Sequence, residues 1–232
     1  MRRKEKFSIG MLDVDYIRGG GIDPFTKRFY VDPVNGSDGN SGKSIASAKK
    51  TFTAGYNLTV TNRNECLYVV GGASALAQTA IITMDHDYTS VIGLAPPTKT
   101  GGRVRFTNTV ATATTGEFVI SATGCNFSGL HIQYGDSATG TSVIGTSITG
   151  GRNYFQNCQF EGPIDSTVAI GGASYRTVNI GTGVQDLTFK DCQFGQRTIL
   201  ATGAAGATIH LAGTNNTNIV LEDCILNAYN SN

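Results

Sequence analysis

The residues best able to do chemistry in this chain are few. Asp85-His86-Asp87 with Tyr88 is the densest polar knot. On a strand, Asp85 and Asp87 would point to one side and offer oxygen donors to a hard cation. The same knot also reads as a turn between two strands. A polysaccharide lyase needs several carboxylates on adjacent layers to hold Ca²⁺, and an Arg or Lys base. Arg103 and Arg105 flank Val104 on a strand-like stretch, where solvated or interface roles fit better than catalysis. A glycosidase needs two carboxylates roughly 5–10 Å apart, and Asp136, Glu161 and Asp165, in or near loops, are the acids that could supply them. His131 and His210 each fall inside a strand-like stretch and are expected on its outer face. No Gly-x-Ser-x-Gly, phosphate-loop or zinc pattern is present. The absence of Trp weakens a sugar-stacking cleft. Asp85 and Asp87 are therefore weak metal candidates, and no cofactor and no catalytic residue is assigned.

The elements that would position these groups follow from composition. The chain has 232 residues, with 30 Gly, 40% apolar residues and only 15% charged ones. Low charge with that apolar content excludes a generic disordered chain. No apolar run approaches the roughly 20 residues of a membrane-spanning helix. The Gly shows no G-x-y period, which excludes collagen. A β-rich, turn-rich domain remains.

The cysteines carry a repeat. Tyr154-Phe-Gln-Asn-Cys-Gln-Phe is followed by Leu187-Thr-Phe-Lys-Asp-Cys-Gln-Phe and Ile219-Val-Leu-Glu-Asp-Cys-Ile-Leu, with a looser copy at Asn126-Phe-Ser-Gly-Leu-His-Ile. Aligned on Asn157, Asp191 and Asp223, the motif recurs after 34 and then 32 residues. Between copies lie short β-branched stretches broken by Gly, Asn or Ser, with no helical period. Strands of this length with a period near 30 predict one turn of a parallel β-helix per repeat. Each residue then lies about 4.8 Å above its equivalent. Cys158, Cys192 and Cys224 are expected to stack inward beneath Leu130, and Phe160, Phe194 and Leu226 over Ile132. Asn157 and Asp191 are expected at corners, where Asn and Asp cap amides or accept left-handed backbone. Five cysteines without an export signal argue against a disulfide framework.

Ser44–Leu58 places Ile45, Ala48, Phe52 and Tyr56 on one helical face behind Ser44 as N-cap. It is expected to be a short amphipathic helix over residues 44–58, closing the bottom of the stack, since an open solenoid end recruits other chains.

Charge is uneven. Residues 1–30 hold seven Lys/Arg against four Asp/Glu, and residues 107–232 hold four against eight. The opening Arg2, Arg3, Lys4 and Lys6 precede no apolar stretch of the kind a signal peptide has, so a cytosolic origin is expected. Residues 1–27 read as an extended arm able to dock on an acidic partner. No further basic stripe supports nucleic-acid binding.

Arg28-Phe-Tyr-Val-Asp-Pro-Val-Asn-Gly-Ser-Asp-Gly-Asn-Ser-Gly-Lys-Ser resembles the opening motif of right-handed β-helix proteins of the pectate-lyase-like superfamily: a strand, an Asn-Gly-rich loop, a capping helix, then coils. The match departs at Lys49-Lys50-Thr51-Phe52, where Pro-Phe-x-Thr-Ile is commoner. Val69-Val70-Gly71-Gly72 with Ile82–Leu94, and later Ile148–Phe155, is similar to β-helix proteins encoded among bacteriophage virion genes, often near head genes.

The resemblance implies an all-β, right-handed, single-stranded parallel β-helix over residues 28–232. It further implies a structural virion protein, head-associated as a capsid decoration or fibre-like module and assembled in the host cytoplasm. The arm's Arg2, Arg3, Lys4, Phe7, Tyr16 and Arg18 would contact the capsid or another virion protein. A homo-oligomer, with a trimer as the state the resemblance implies, is expected. A tailspike-type polysaccharide lyase or hydrolase, or a non-catalytic module for host surface glycans, is the alternative.

Overall fold

A computed structural model of the protein describes residues 27–72, 75–78, 80–95, 104–108, 116–134, 144–162, 176–195 and 207–227. Among these residues the strands form three sheets in which every pairing between strands is parallel. The first sheet stacks Arg28–Val31, Cys66–Val70, Ser90–Leu94, Asn126–Ser128, Tyr154–Gln156, Gln185–Lys190 and Thr217–Glu222. The second stacks Leu76–Gln78, Val104–Asn108, Leu130–Tyr134, Gln159–Glu161, Gln193–Phe194 and Ile225–Leu226. The third stacks Ile82–Met84, Phe118–Ile120, Ile144–Ile148, Arg176–Ile180 and Ala207–Leu211. From Cys66–Val70 onward, consecutive described strands lie in different sheets and sheet neighbours lie about one repeat apart, which is the topology of a parallel β-helix.

Alternation along each strand fills the interior with columns. Phe29, Leu67, Val91, Phe127, Phe155, Phe189 and Leu221 pair rung on rung through the first sheet. The rings of Phe127, Phe155 and Phe189 stack at 4.8 Å, with interplanar angles of 13° and 16°. The second sheet answers with Phe106, Ile132, Phe160, Phe194 and Leu226. Phe160 stacks on Phe194 at 5.2 Å and meets Phe155 edge-on at 5.6 Å. Each column therefore gains stacked contacts within a sheet and edge-to-face contacts between sheets. Leu221 and Leu226, on the last described coil, are 44% and 58% exposed, whereas Phe189 and Phe194 one rung below are fully buried.

The expected corner is present. Asn157, Asp191 and Asp223 adopt φ of 51°, 53° and 51°, and Gly129 occupies the equivalent position one coil earlier at 66°. Their amides reach the next coil: Asn157 N–H donates to the Lys190 carbonyl and Asp191 N–H to that of Glu222, both at 2.9 Å. A second corner leads into the first sheet. There Asn64, Tyr88, Gly124, Arg152, Asp186 and Asn218 share one register position, all at positive φ. A bulky residue seldom accepts this backbone, yet Tyr88 does, and its ring lies where a Gly124 side chain would stand.

The single helix over residues 44–58 is not formed. A 3₁₀ turn covers Ile45–Ser47 and an α-helix covers Phe52–Tyr56. Between them Ala48 is extended, and Lys49 bridges to Val31, donating its N–H to the Tyr30 carbonyl and accepting from Asp32 N–H. Pairing with the first strand thus overrides helical propensity at this point. Ile45 is consequently 57% exposed, while Ala48, Phe52 and Tyr56 remain buried over the stack's lower end. Thr51, not Ser44, is the capping side chain, accepting from Ala54 N–H at 3.2 Å.

Asp38 locks this cap by accepting from the backbone N–H groups of Lys50 and Thr51 and from the Thr51 hydroxyl. The Thr51 amide chiefly, against the opposing effect of burial, holds the Asp38 carboxyl below its ordinary value of 3.8. A depressed folded-state pKa stabilises above the unfolded value and loses that contribution as pH falls through the folded one. Acid unfolding followed by circular dichroism is therefore expected to steepen below pH 3.8, and Asp38→Asn to flatten that slope.

Candidate functional site

The outer face of the second sheet carries a buried polar cluster. Arg105, His131, Gln159, Gln193 and Ile225 are register partners on successive rungs, with Thr107, Gln133 and Glu161 two residues along. They point away from the core because Val104, Leu130, Phe106, Ile132 and Phe160 at the alternate positions point into it. His131 takes the outer-face position expected of it, yet its side chain is only 11% exposed and that of its partner Glu161 only 5%. His131 Nε2 lies 2.7 Å from Glu161 Oε2. The same oxygen accepts from Gln159 Nε2 at 3.3 Å and Gln133 Nε2 at 3.5 Å. Gln193 is buried on the next rung, and its Oε1 has no hydrogen-bond partner among the described residues.

A carboxylate out of water is tolerated only when paired and hydrogen-bonded, and three donors on one oxygen meet that requirement. The arrangement sets an acid and an imidazole side by side, the minimal kit for proton transfer. Both are, however, engaged with each other.

The Asp85-His86-Asp87 knot resolves into a corner. The strand ends at Met84, so the two carboxylates do not alternate along one strand, and the knot takes the turn reading. Asp87 Oδ1 accepts from Thr123 N–H at 2.7 Å. The Asp85 side chain is 61% exposed, with its Oδ1 3.8 Å from His86 Nε2. His86 stacks on Tyr56 at 4.6 Å, donates its backbone N–H to the Tyr56 hydroxyl and sets Nδ1 2.7 Å from Thr59 Oγ1. Burial pushes the Tyr56 phenol up, so it stays protonated.

Thr59, His86 and Asp85 superficially form a hydroxyl–imidazole–carboxylate line. The Thr59 hydroxyl already donates to the Tyr56 carbonyl at 2.8 Å, so it accepts from the imidazole and is not primed as a nucleophile. The knot ties the capping helix to the first coils. Among the described residues no three His, Cys, Asp or Glu side chains gather as metal ligands.

The third sheet's outer column, Thr83, Val119, Ser147, Asn179 and His210, holds no carboxylate. His210 Nδ1 sits 2.7 Å from Asn179 Oδ1. Burial first, and the Arg176 charge second, lower its pKa, so the ring is neutral at pH 7. Glu117, the acid at the head of that sheet, is fully buried. A cavity of about 210 Å³ beneath the lowest third-sheet strand is lined by Phe52, Thr53, Tyr56, Asn57, Ile81, Ile82 and Thr83, with no acid and no base.

Of the sequence candidates, Arg105 is exposed on the second sheet. Arg103, Asp136 and Asp165 lie outside the described residues, as do Arg2, Arg3, Lys4, Phe7, Tyr16 and Arg18 of the arm. Glu161 is the one glycosidase candidate within them, and its partners are a histidine and glutamines, not a second acid. Sequence reasoning missed Gln133, Gln159 and Gln193. The signal for Gln159 and Gln193 was the Gln that follows Cys158 and Cys192 in the repeat; Gln133 has no such signal.

No protein-family model matches the chain, and no curated protein sequence does. Solved structures do. Rhamnogalacturonan lyase aligns with a TM-score of 0.53 at 13% identity, over 89% of this chain and 59% of its own. Pectate lyase Pel9A gives 0.49 at 17% identity, covering 82% and 54%. Pectin methylesterase PemA from Erwinia chrysanthemi gives 0.47 at 14% identity, covering 84% and 66%. The chain thus spans less than two thirds of the length of these proteins. At such identities the likeness is one of fold: a right-handed parallel β-helix.

Proposed function

We propose that the protein is a structural component of a bacteriophage virion, a stiff β-helical module held to the particle through its basic N-terminal arm. The observation that supports this reading is the way the described titratable groups are used. Glu161 is held by three donors, Asp87 caps the Thr123 amide, and Asp191 and Asp223 turn corners. On the first sheet's outer face Lys190 pairs with Glu222 at 2.8 Å, and much of the rest of the described outer positions is neutral, such as Ser128, Gln156, Ser147 and Asn179. Rungs therefore stack about every 4.8 Å without the repulsion of like charges. Such a body supplies rigidity and adhesion. Residues 1–27, with Arg2, Arg3, Lys4, Phe7, Tyr16 and Arg18, supply the contacts to the capsid or another virion protein. Removing residues 1–20 is expected to abolish particle association while the β-helix stays folded. Occupancy measured on purified virions decides this, and unchanged occupancy rejects the docking role.

The second reading is a polysaccharide lyase or hydrolase, or a glycan-binding module, and the His131–Glu161 pair on an outer sheet face is what favours it. It requires release of reducing ends or unsaturated uronates from host polysaccharide, lost in Glu161→Gln. Binding without turnover on a glycan array would mark the non-catalytic form.

A further inference from the structure

Cys158, Cys192 and Cys224 occupy one inward register position on three successive coils, since Gln159, Gln193 and Ile225, one residue on, are direct partners. Their sulfurs make the same two contacts at each level. One is to the carbonyl two residues back, Gln156, Lys190 or Glu222, at 3.4, 3.3 and 3.3 Å. The other is to a phenylalanine carbonyl of the preceding coil, Phe127, Phe155 or Phe189, at 3.5, 3.5 and 3.3 Å. Identical contacts mean that the sulfurs are related by the rung translation, about 4.8 Å.

That spacing selects what the thiols can do. A disulfide requires Cβ atoms about 3.8 Å apart, roughly 1 Å closer than the rungs hold them. Two collinear metal–thiolate bonds of about 2.3 Å each span about 4.6 Å, which the file accommodates with no shift of either strand. Thiolate is the soft ligand that favours Cu(I) over hard cations.

We propose that Cys192 and Cys224 form a two-coordinate site for a soft monovalent cation of the Cu(I) class. Both thiols give their protons to solvent as the cation binds, leaving one net negative charge on the S–metal–S unit and no change of oxidation state. Cys224 is the entrance. It lies on the last described coil and is partly exposed, whereas Cys192 one rung in is buried. Cys66, in a small outer cluster with Ile92 and Tyr68, and Cys125, whose sulfur faces the His86 and Thr123 carbonyls, stand outside the file.

The test is anaerobic titration of the full chain with Cu(I) against a competing bicinchoninate chelator, read by native mass spectrometry and by melting temperature. Wild type is expected to retain one Cu(I) per chain and to melt higher with it. Cys224→Ser, on the exposed coil where folding tolerates it, is expected to retain none. Cys66→Ser and Cys125→Ser are expected to match wild type. Surrender of all metal by wild type, equal retention by Cys224→Ser, or conversion of the pair to a Cys192–Cys224 disulfide without bound metal would each overturn the site.

Discussion

Replacing Phe189 with alanine is expected to lower the unfolding free energy by about 3–5 kcal/mol, the range for deleting a buried aromatic side chain. Phe189 is fully buried, stacks on Phe155 at 4.8 Å and meets the edges of Phe160 and Phe194 at 5.8 and 5.1 Å. It joins two sheets at one level, so a cavity there interrupts both columns. Collapse cannot close the cavity, because parallel rungs on either side fix the backbone spacing. Leu221 continues the same column one rung up but is 44% exposed, so Leu221→Ala is expected to cost about 1 kcal/mol, in keeping with partial burial. Urea unfolding of the two variants checks the contrast. Equal losses would show that the columns do not carry the core.

Removing the Glu161 carboxylate is the second large perturbation. Glu161→Ala leaves His131 and the amides of Gln133 and Gln159 without their acceptor in a buried setting. Breaking one side of a buried pair costs about 3–5 kcal/mol, whereas replacing both sides by apolar groups is often neutral or better. His131→Leu with Glu161→Leu is therefore expected to recover much of the loss, giving a strongly favourable coupling energy in a double-mutant cycle. A Glu161→Ala variant within about 1 kcal/mol of wild type, the ordinary surface range, would mean that the carboxylate is not held as described.

These two sites differ in how far the sequence disclosed them. Phe160, Phe194 and Cys158, Cys192, Cys224 were legible because an inward position repeats its chemistry on every coil, and repetition survives in a linear string. The Asn157–Asp191–Asp223 corner was legible for the same reason, since left-handed backbone restricts the residue choice. The second corner was not, because Asn64, Tyr88, Gly124, Arg152, Asp186 and Asn218 share a conformation but not a residue type. Thr51 displaced Ser44 as helix cap because the Lys49 pairing to Tyr30 and Asp32 is a contact between distant residues, which no local propensity encodes. Of the two readings of Asp85 and Asp87, the turn between strands is the one the structure takes, because the strand stops at Met84 and alternation does not extend to them. Glu161 appeared only as a loop acid, since a strand's outward residues are normally wet and its burial depends on tertiary context. Function was the least legible, because the same coil serves enzymes and inert rods alike.

The most direct measurement of the central claim is the position of the protein on an imaged virion. Among the described residues, seven stacked first-sheet strands span roughly 30 Å at about 4.8 Å per rung. Electron cryomicroscopy of intact particles is expected to show that stack on the head, its Phe52–Tyr56 end against the particle and its Thr217–Glu222 rung farther out. Particles lacking the protein, or a stack attached from its Thr217–Glu222 side with the N-terminal end free, would contradict the account.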